Sequence, residues 1–170
     1  MMLDYLKLVS EDKKNNISAN VLGCEKDFSL QLTENIVLNG CIDRIQLDPD
    51  GILHIADYKT SKDKKYLKED WFQLLTYAFI MYQDDPTLDK IRGSYIMLRH
   101  NFEYITKEFN KDEIIEVGSK YIDYATKMQN ELDFSANPTA LCNYCSFLEH
   151  CDEGKKKINY ISNITGEVDW

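Results

Sequence analysis

The sequence is short of chain breakers, with three prolines and seven glycines in 170 residues. That scarcity excludes a collagen-like or low-complexity chain. Positive charge is also scarce. Lys and Arg number 20 against 29 Asp and Glu, a net charge of −9. A general nucleic-acid coat protein is basic, so any DNA contact here must come through a local patch. No apolar run approaches the ~20 residues that a membrane span needs. The opening Met1-Met2-Leu3-Asp4-Tyr5 has neither the basic nor the apolar region of a signal peptide. These absences lead us to expect a cytoplasmic chain without membrane contact. Apolar residues make up 44 % of the chain, enough for a packed core without disulfides. A chain of this length corresponds to about one domain.

Three β-like runs follow a short lead-in over residues 1–18. They are 21–32, with Phe28, Leu30 and Leu32 on one face, then 36–47, then 52–58. Asp48-Pro49-Asp50-Gly51 separates the last two and is a strong turn signal, so they are expected to form a hairpin. Trp71, Leu74, Leu75, Ala78, Phe79 and Tyr82 recur at helical spacing, predicting a helix over 66–83. Asp84-Asp85-Pro86 ends it. A strand pair is expected over 91–99 and 104–109. Asn110, with Glu113 three residues on, resembles a capping box opening a helix to about residue 132. The tail over 152–170 is polar and expected to be loose.

The sharpest local feature is Asp57-Tyr58-Lys59-Thr60 at the end of the third run. Alternation along a strand puts Asp57 and Lys59 on one face. Asp43 precedes the hairpin turn and Asp57 follows it, so the two carboxylates are candidate neighbours across the pair. Adjacent carboxylates repel. Mg²⁺ or Mn²⁺, which take oxygen ligands, would relieve that. A lysine beside them can orient water or offset charge on a phosphate. The plain alternative is an exposed ion pair of little worth. Gln73 and Tyr77, four apart, share a helix face, and interior hydrogen bonding is the plain reading for both.

Cys142, Cys145 and Cys151 form a Cys-x2-Cys-x5-Cys cluster, while Cys24 and Cys41 fall in predicted strands and read as core. Clustered thiols in a reducing compartment suit metal. Structural zinc takes four Cys or His ligands and iron–sulfur clusters four cysteines. His150 is an awkward fourth zinc ligand beside Cys151, and three free thiols are the alternative. Lys59, Lys62, Lys64, Lys65 and Lys68 fall within ten residues against Asp63 alone. They make either a DNA-binding patch or a solvated loop. Tyr66 could stack on a base, whereas Trp71 reads as core.

The order of these motifs is specific. Glu25-x-x-Phe28, Gly40-x-Ile42-Asp43-Arg44-Ile45, Ile55-x-Asp57-Tyr58-Lys59-Thr60, Gln73-Leu74-x-x-Tyr77-Ala78 and the terminal cysteines run in sequence over residues 20–151. Together they resemble the PD-(D/E)XK nuclease superfamily, in its RecB-like branch. That branch includes CRISPR-associated exonucleases and the nuclease domains of helicase–nuclease complexes. The resemblance implies an α/β restriction-endonuclease-like core over 19–151, a central mixed β-sheet flanked by helices. It implies a metal-dependent DNA nuclease, an exonuclease, with a helicase or CRISPR-adaptation partner. It makes Asp43, Asp57 and the Tyr58 backbone carbonyl ligands of Mg²⁺ or Mn²⁺ and Lys59 the catalytic lysine. Gln73 becomes the helix glutamine beside the site, with Tyr77 its companion one turn on. Glu25 stays structural. The resemblance implies a 4Fe–4S cluster at the cysteines, but its fourth ligand is not identified, so we expect a broken site that holds no metal, or Zn²⁺ adventitiously. The N-terminal histidine and first cysteine of the pattern are missing, so the chain reads as trimmed at its N-terminus. A second expectation follows: a catalytically impaired nuclease-like domain that binds DNA or a protein. A small metal-binding module with no DNA role is a third.

Overall fold

The computed structural model describes residues 20–62 and 70–165, the last six by their backbone alone. Strands β1 (Asn20–Thr33), β2 (Ile36–Leu47), β3 (Leu53–Lys59), β4 (Lys90–Met97) and β5 (Glu103–Asn110) form one sheet in that order. Helix α1 (Phe72–Asp84) lies between β3 and β4, and helix α2 (Lys111–Asn130) follows β5. Helix α3 (Asp152–Thr165) closes the described chain. Pairing is antiparallel except between β3 and β4, which run parallel. Parallel strands need a long crossover, and α1 supplies it. The result is the expected α/β architecture, a mixed sheet flanked by helices.

The turns are set by local chemistry. Gly51 takes φ +80°, and its N–H donates to Asp48 O at 2.9 Å, closing the β2–β3 hairpin. In the connection 98–102 between β4 and β5, Asn101 and Phe102 both adopt left-handed φ values, 53° and 58°, and Glu103 N donates to His100 O at 3.1 Å to close the turn. The turn buries Phe102 against Ala56 and Ile96 on one side of the sheet. The main core lies elsewhere, where Ile42, Ile55, Leu74, Phe79, Phe109 and Ile114 are packed together. At the start of α2, Asn110 Oδ1 accepts from Glu113 N and Glu113 Oε2 from Asn110 N, both at 3.0 Å. This is the expected capping box.

Beside the β2–β3 turn sits a buried polar cluster. His54 Nδ1 lies 2.9 Å from Asp48 Oδ2 and Nε2 lies 2.7 Å from Ser94 Oγ. Arg92 reaches the same Asp48 oxygen at 2.6 Å. Arg92, Gln46 and His54 together hold the Asp48 carboxyl below its ordinary range despite burial. Burial lowers the His54 pKa, and Asp48 only partly opposes it.

Three expectations are corrected. Helix α1 begins at Phe72; its expected first turn falls partly in residues 66–69, outside those described. Asp70 Oδ1 accepts from Phe72 N, and Trp71 is the N-cap, its carbonyl accepting from Leu75 N at 2.9 Å while its ring stacks on Tyr95 at 5.6 Å. That stacking bears out Trp71 as a packing residue. The polar tail is not loose through residue 165, because α3 occupies it. Cys24 lies on β1 but is exposed, not core. The chain divides into two compact units, residues 1–128 and 129–170.

Candidate active site

The β2–β3 ladder runs from Leu47↔Leu53 to Arg44↔Ala56. Continued by one pair, it would set Asp43 opposite Asp57. There the Asp43 side chain substitutes for backbone pairing, its Oδ2 accepting from Tyr58 N at 2.9 Å. Asp57 and Lys59 follow each other on one face at the carboxyl end of β3, where α/β sheets commonly place their sites. Lys59 Nζ is 2.7 Å from Asp57 Oδ2.

Gln73, in the first turn of α1, ties these groups together. Its Oε1 accepts from Lys59 Nζ at 2.7 Å. Its Nε2 donates to Asp57 Oδ1 at 2.8 Å and to Tyr77 Oη at 2.9 Å. The crossover helix therefore sets the spacing between the acid and the lysine. Beneath them, the Lys59 ammonium lies 5.1 Å from the centre of the Tyr95 ring. Tyr95 is a site residue that the sequence reading missed. Only the parallel register Asp57↔Tyr95 brings it there, and no local pattern announces that pairing.

The Asp57 side chain is 5 % exposed. Burial raises its pKa; Lys59 opposes that rise and Asp43 adds to it. Oδ2 is buried without a hydrogen bond. Its close charged neighbour is the Lys59 ammonium, an ion pair at 2.7 Å. Burial likewise raises the Tyr77 hydroxyl above its ordinary value.

An under-satisfied buried oxygen next to a second carboxylate is a fit for a hard divalent cation. Mg²⁺ is held by one or two carboxylates, with waters and phosphates completing its shell. Asp43 and Asp57 supply that minimum. The Tyr58 N–H is committed to Asp43, while its ring hydroxyl faces Arg44 at 3.4 Å.

The structure does not assemble the cysteine centre. Among the described residues, no group of three or more His, Cys, Asp or Glu is arranged to hold a metal ion. Cys142 Sγ instead accepts from Thr139 N at 3.4 Å, and Cys151 Sγ from Gly154 N at 3.3 Å. Cys145 is exposed. Cys142 lies in a short 3₁₀ turn at Ala140–Tyr144, and Cys151 follows a second at Leu148–His150. An intact iron–sulfur or zinc centre at Cys142, Cys145 and Cys151 does not fit this arrangement. Of the lysine patch, Lys62 is exposed and its carbonyl accepts from His100 Nε2 at 3.1 Å. Lys64, Lys65, Lys68 and Tyr66 lie outside the described residues. Glu25 is exposed on β1 with φ 49°.

Comparison with known proteins gives the family. The PD-(D/E)XK nuclease superfamily matches residues 1–152. The chain belongs to that superfamily. An ATP-dependent helicase/deoxyribonuclease subunit from Streptococcus agalactiae serotype Ia is 29 % identical over 121 residues. The serotype V and serotype III proteins of the same name match equally. The alignment covers 66 % of this chain but 11 % of the relative. This chain thus corresponds to a small part of those proteins. The crystal structure of SSO0001 aligns over 89 % of this chain and 67 % of that one, at 21 % identity. Its TM-score of 0.41 is too low to argue from.

Proposed function

We propose that this chain is a divalent-metal-dependent deoxyribonuclease of the RecB-like kind, acting from DNA ends as an exonuclease in the cytoplasm. The observation that carries the reading is Asp57. Its carboxylate is nearly buried, ion-paired through Oδ2 with Lys59 at 2.7 Å, and Asp43 adds a second negative charge that raises its pKa with burial. A protein rarely keeps such a group without a use for it. Asp43, Asp57 and the Tyr58 carbonyl are the residues that would hold Mg²⁺ or Mn²⁺. The ion would supply a Lewis acid at the phosphate and a water of lowered pKa.

The chain's own groups do the rest. Lys59 sets a positive charge where charge builds on the phosphoryl oxygens. Gln73 holds the ammonium and Asp57 in register, and Tyr77 fixes the rotamer of Gln73. The lysines from Lys62 to Lys68 are the positive groups in sequence beyond β3, suited to a phosphate backbone. A helicase is the partner we infer, because the name of the streptococcal relatives joins both activities. A CRISPR-adaptation partner draws no comparable support from them.

The test is cleavage of end-labelled linear single- and double-stranded DNA and of closed circles, with Mn²⁺, Mg²⁺ or EDTA. Wild type and Asp57→Ala are compared. Linear DNA should be degraded only with metal and only by the wild type, while circles survive. Cleavage retained in Asp57→Ala sinks the site. Salt-sensitive DNA binding without turnover would favour the impaired-nuclease reading.

A further inference from the structure

A cavity of about 330 Å³ opens beside the candidate site. Gln73 and Tyr77 belong to both. Its walls come from four elements: Phe28 of β1, Leu38 to Gly40 of β2, Phe72, Gln73, Thr76 and Tyr77 of α1, and Tyr121 of α2. Asp70 sits at its edge.

Resting on the nuclease reading, we propose that this cavity receives one unpaired nucleobase of the DNA strand, next to the phosphate held at Asp57 and Lys59. The size falls at the low end of small-ligand sites, about 300–1,000 Å³, and is ample for a single base. The walls are aromatic and fixed in place. Phe28 meets Tyr77 edge-on at 6.2 Å, and Phe72 lies 5.3 Å from Tyr121. Tyr121 Oη is anchored to Thr76 Oγ1 at 2.9 Å. Gly40 permits the Phe28 ring, because a Cβ there would come within 2.5 Å of Phe28 Cζ.

The charge of the lining decides which part of a nucleotide enters. No Lys, Arg or His lines the cavity among the described residues, and Asp70 would repel an anion. A phosphate is therefore disfavoured and a flat neutral ring favoured. Asn39, exposed at the lining, carries both donor and acceptor for a base edge. A paired base cannot reach such a slot without leaving its stack. The pocket thus selects single strands or frayed ends.

The test measures binding, in EDTA, of a labelled DNA strand carrying one abasic position moved stepwise along it. Wild type should show a single position whose loss weakens binding roughly 10- to 100-fold, the range set by one base stacked on aromatics. That dip should vanish in Phe28→Leu and Phe72→Leu, each checked for wild-type melting. If those variants do not fold, the wild-type scan decides alone. A flat profile, or no binding of single strands, overturns the pocket. Loss of cleavage activity with the dip intact would refute only the nuclease reading. A flat profile with Asp57-dependent cleavage would refute only the pocket.

Discussion

Gln73→Ala probes whether α1 tunes the site or merely covers it. The substitution removes the acceptor for Lys59 and the donors to Asp57 and Tyr77 in one step. Asp57 then loses its Oδ1 hydrogen bond and is left with the Lys59 ion pair on Oδ2. Two of the three lost bonds involve charged groups, each worth about 1.5–3 kcal/mol in a protected setting. Lys59 is 23 % exposed, so water replaces part of that. The expected stability loss is about 1–3 kcal/mol, a fall in Tm of roughly 3–10 °C. Metal-dependent cleavage should fall about 10–100-fold, the usual effect of losing a partner that orients ligands. The matching control is Gln73→Glu. It has the same size and still accepts from Lys59, but sets a carboxylate 2.8 Å from Asp57 Oδ1. If Gln73 only fills space, Glu restores cleavage. If it aligns Asp57 through its amide, Glu is at least as damaging as Ala. A steady-state assay over a Mn²⁺ titration, paired with thermal melts, separates the two. Cleavage within threefold of wild type in both variants would refute the positioning role.

Mn²⁺ or Mg²⁺ at 100 times its Kd should stabilise the fold by about 2.7 kcal/mol. That shift should disappear in Asp43→Ala, and an equal thermal shift in that variant argues against Asp43 as ligand. The His54 cluster makes stability depend on pH. Burial lowers the folded pKa of His54 and its partners lower that of Asp48, so the unfolded chain binds more protons in acid. The His54 contribution is complete above its ordinary value near 6.5 and is lost as pH falls below it, with Asp48 following in stronger acid. Urea midpoints at neutral and mildly acidic pH check this, and a His54→Gln variant should flatten the first decline. Gly40→Ala drives a methyl to within 2.5 Å of the Phe28 ring. Gly40 is exposed and Phe28 half-buried, so the ring tip must shift, at a cost of about 1 kcal/mol or less, visible as a slightly lower Tm.

The strand pattern and both hairpins are local matters, and local chemistry made them legible. Turn residues at 48–51 and alternation at Phe28, Leu30 and Leu32 act within a few residues, so β1 to β3 appear where expected. The neighbourhood of Asp43 and Asp57 was legible for the same reason, since a short hairpin leaves little choice of register. Helix starts are subtler. Trp71 is the N-cap, and its ring stacks on a partner 24 positions away in the chain, Tyr95. The cysteine spacing suggested a metal site short of its fourth ligand; ligation needs convergence in space, and among the described residues no such group is assembled.

By itself the sequence determined the family and the order of strands and helices, and singled out Asp43, Asp57 and Lys59 as candidates. Those depend on residue type and short-range spacing. Tertiary structure alone decided the parallel pairing of β3 with β4 and the Tyr95 ring beneath Lys59. It also decided the hold of Gln73 on both charges and the aromatic slot shared by four elements. Each requires side chains far apart in the chain to meet, and that meeting is fixed by how the crossover helix packs on the sheet rather than by any local rule.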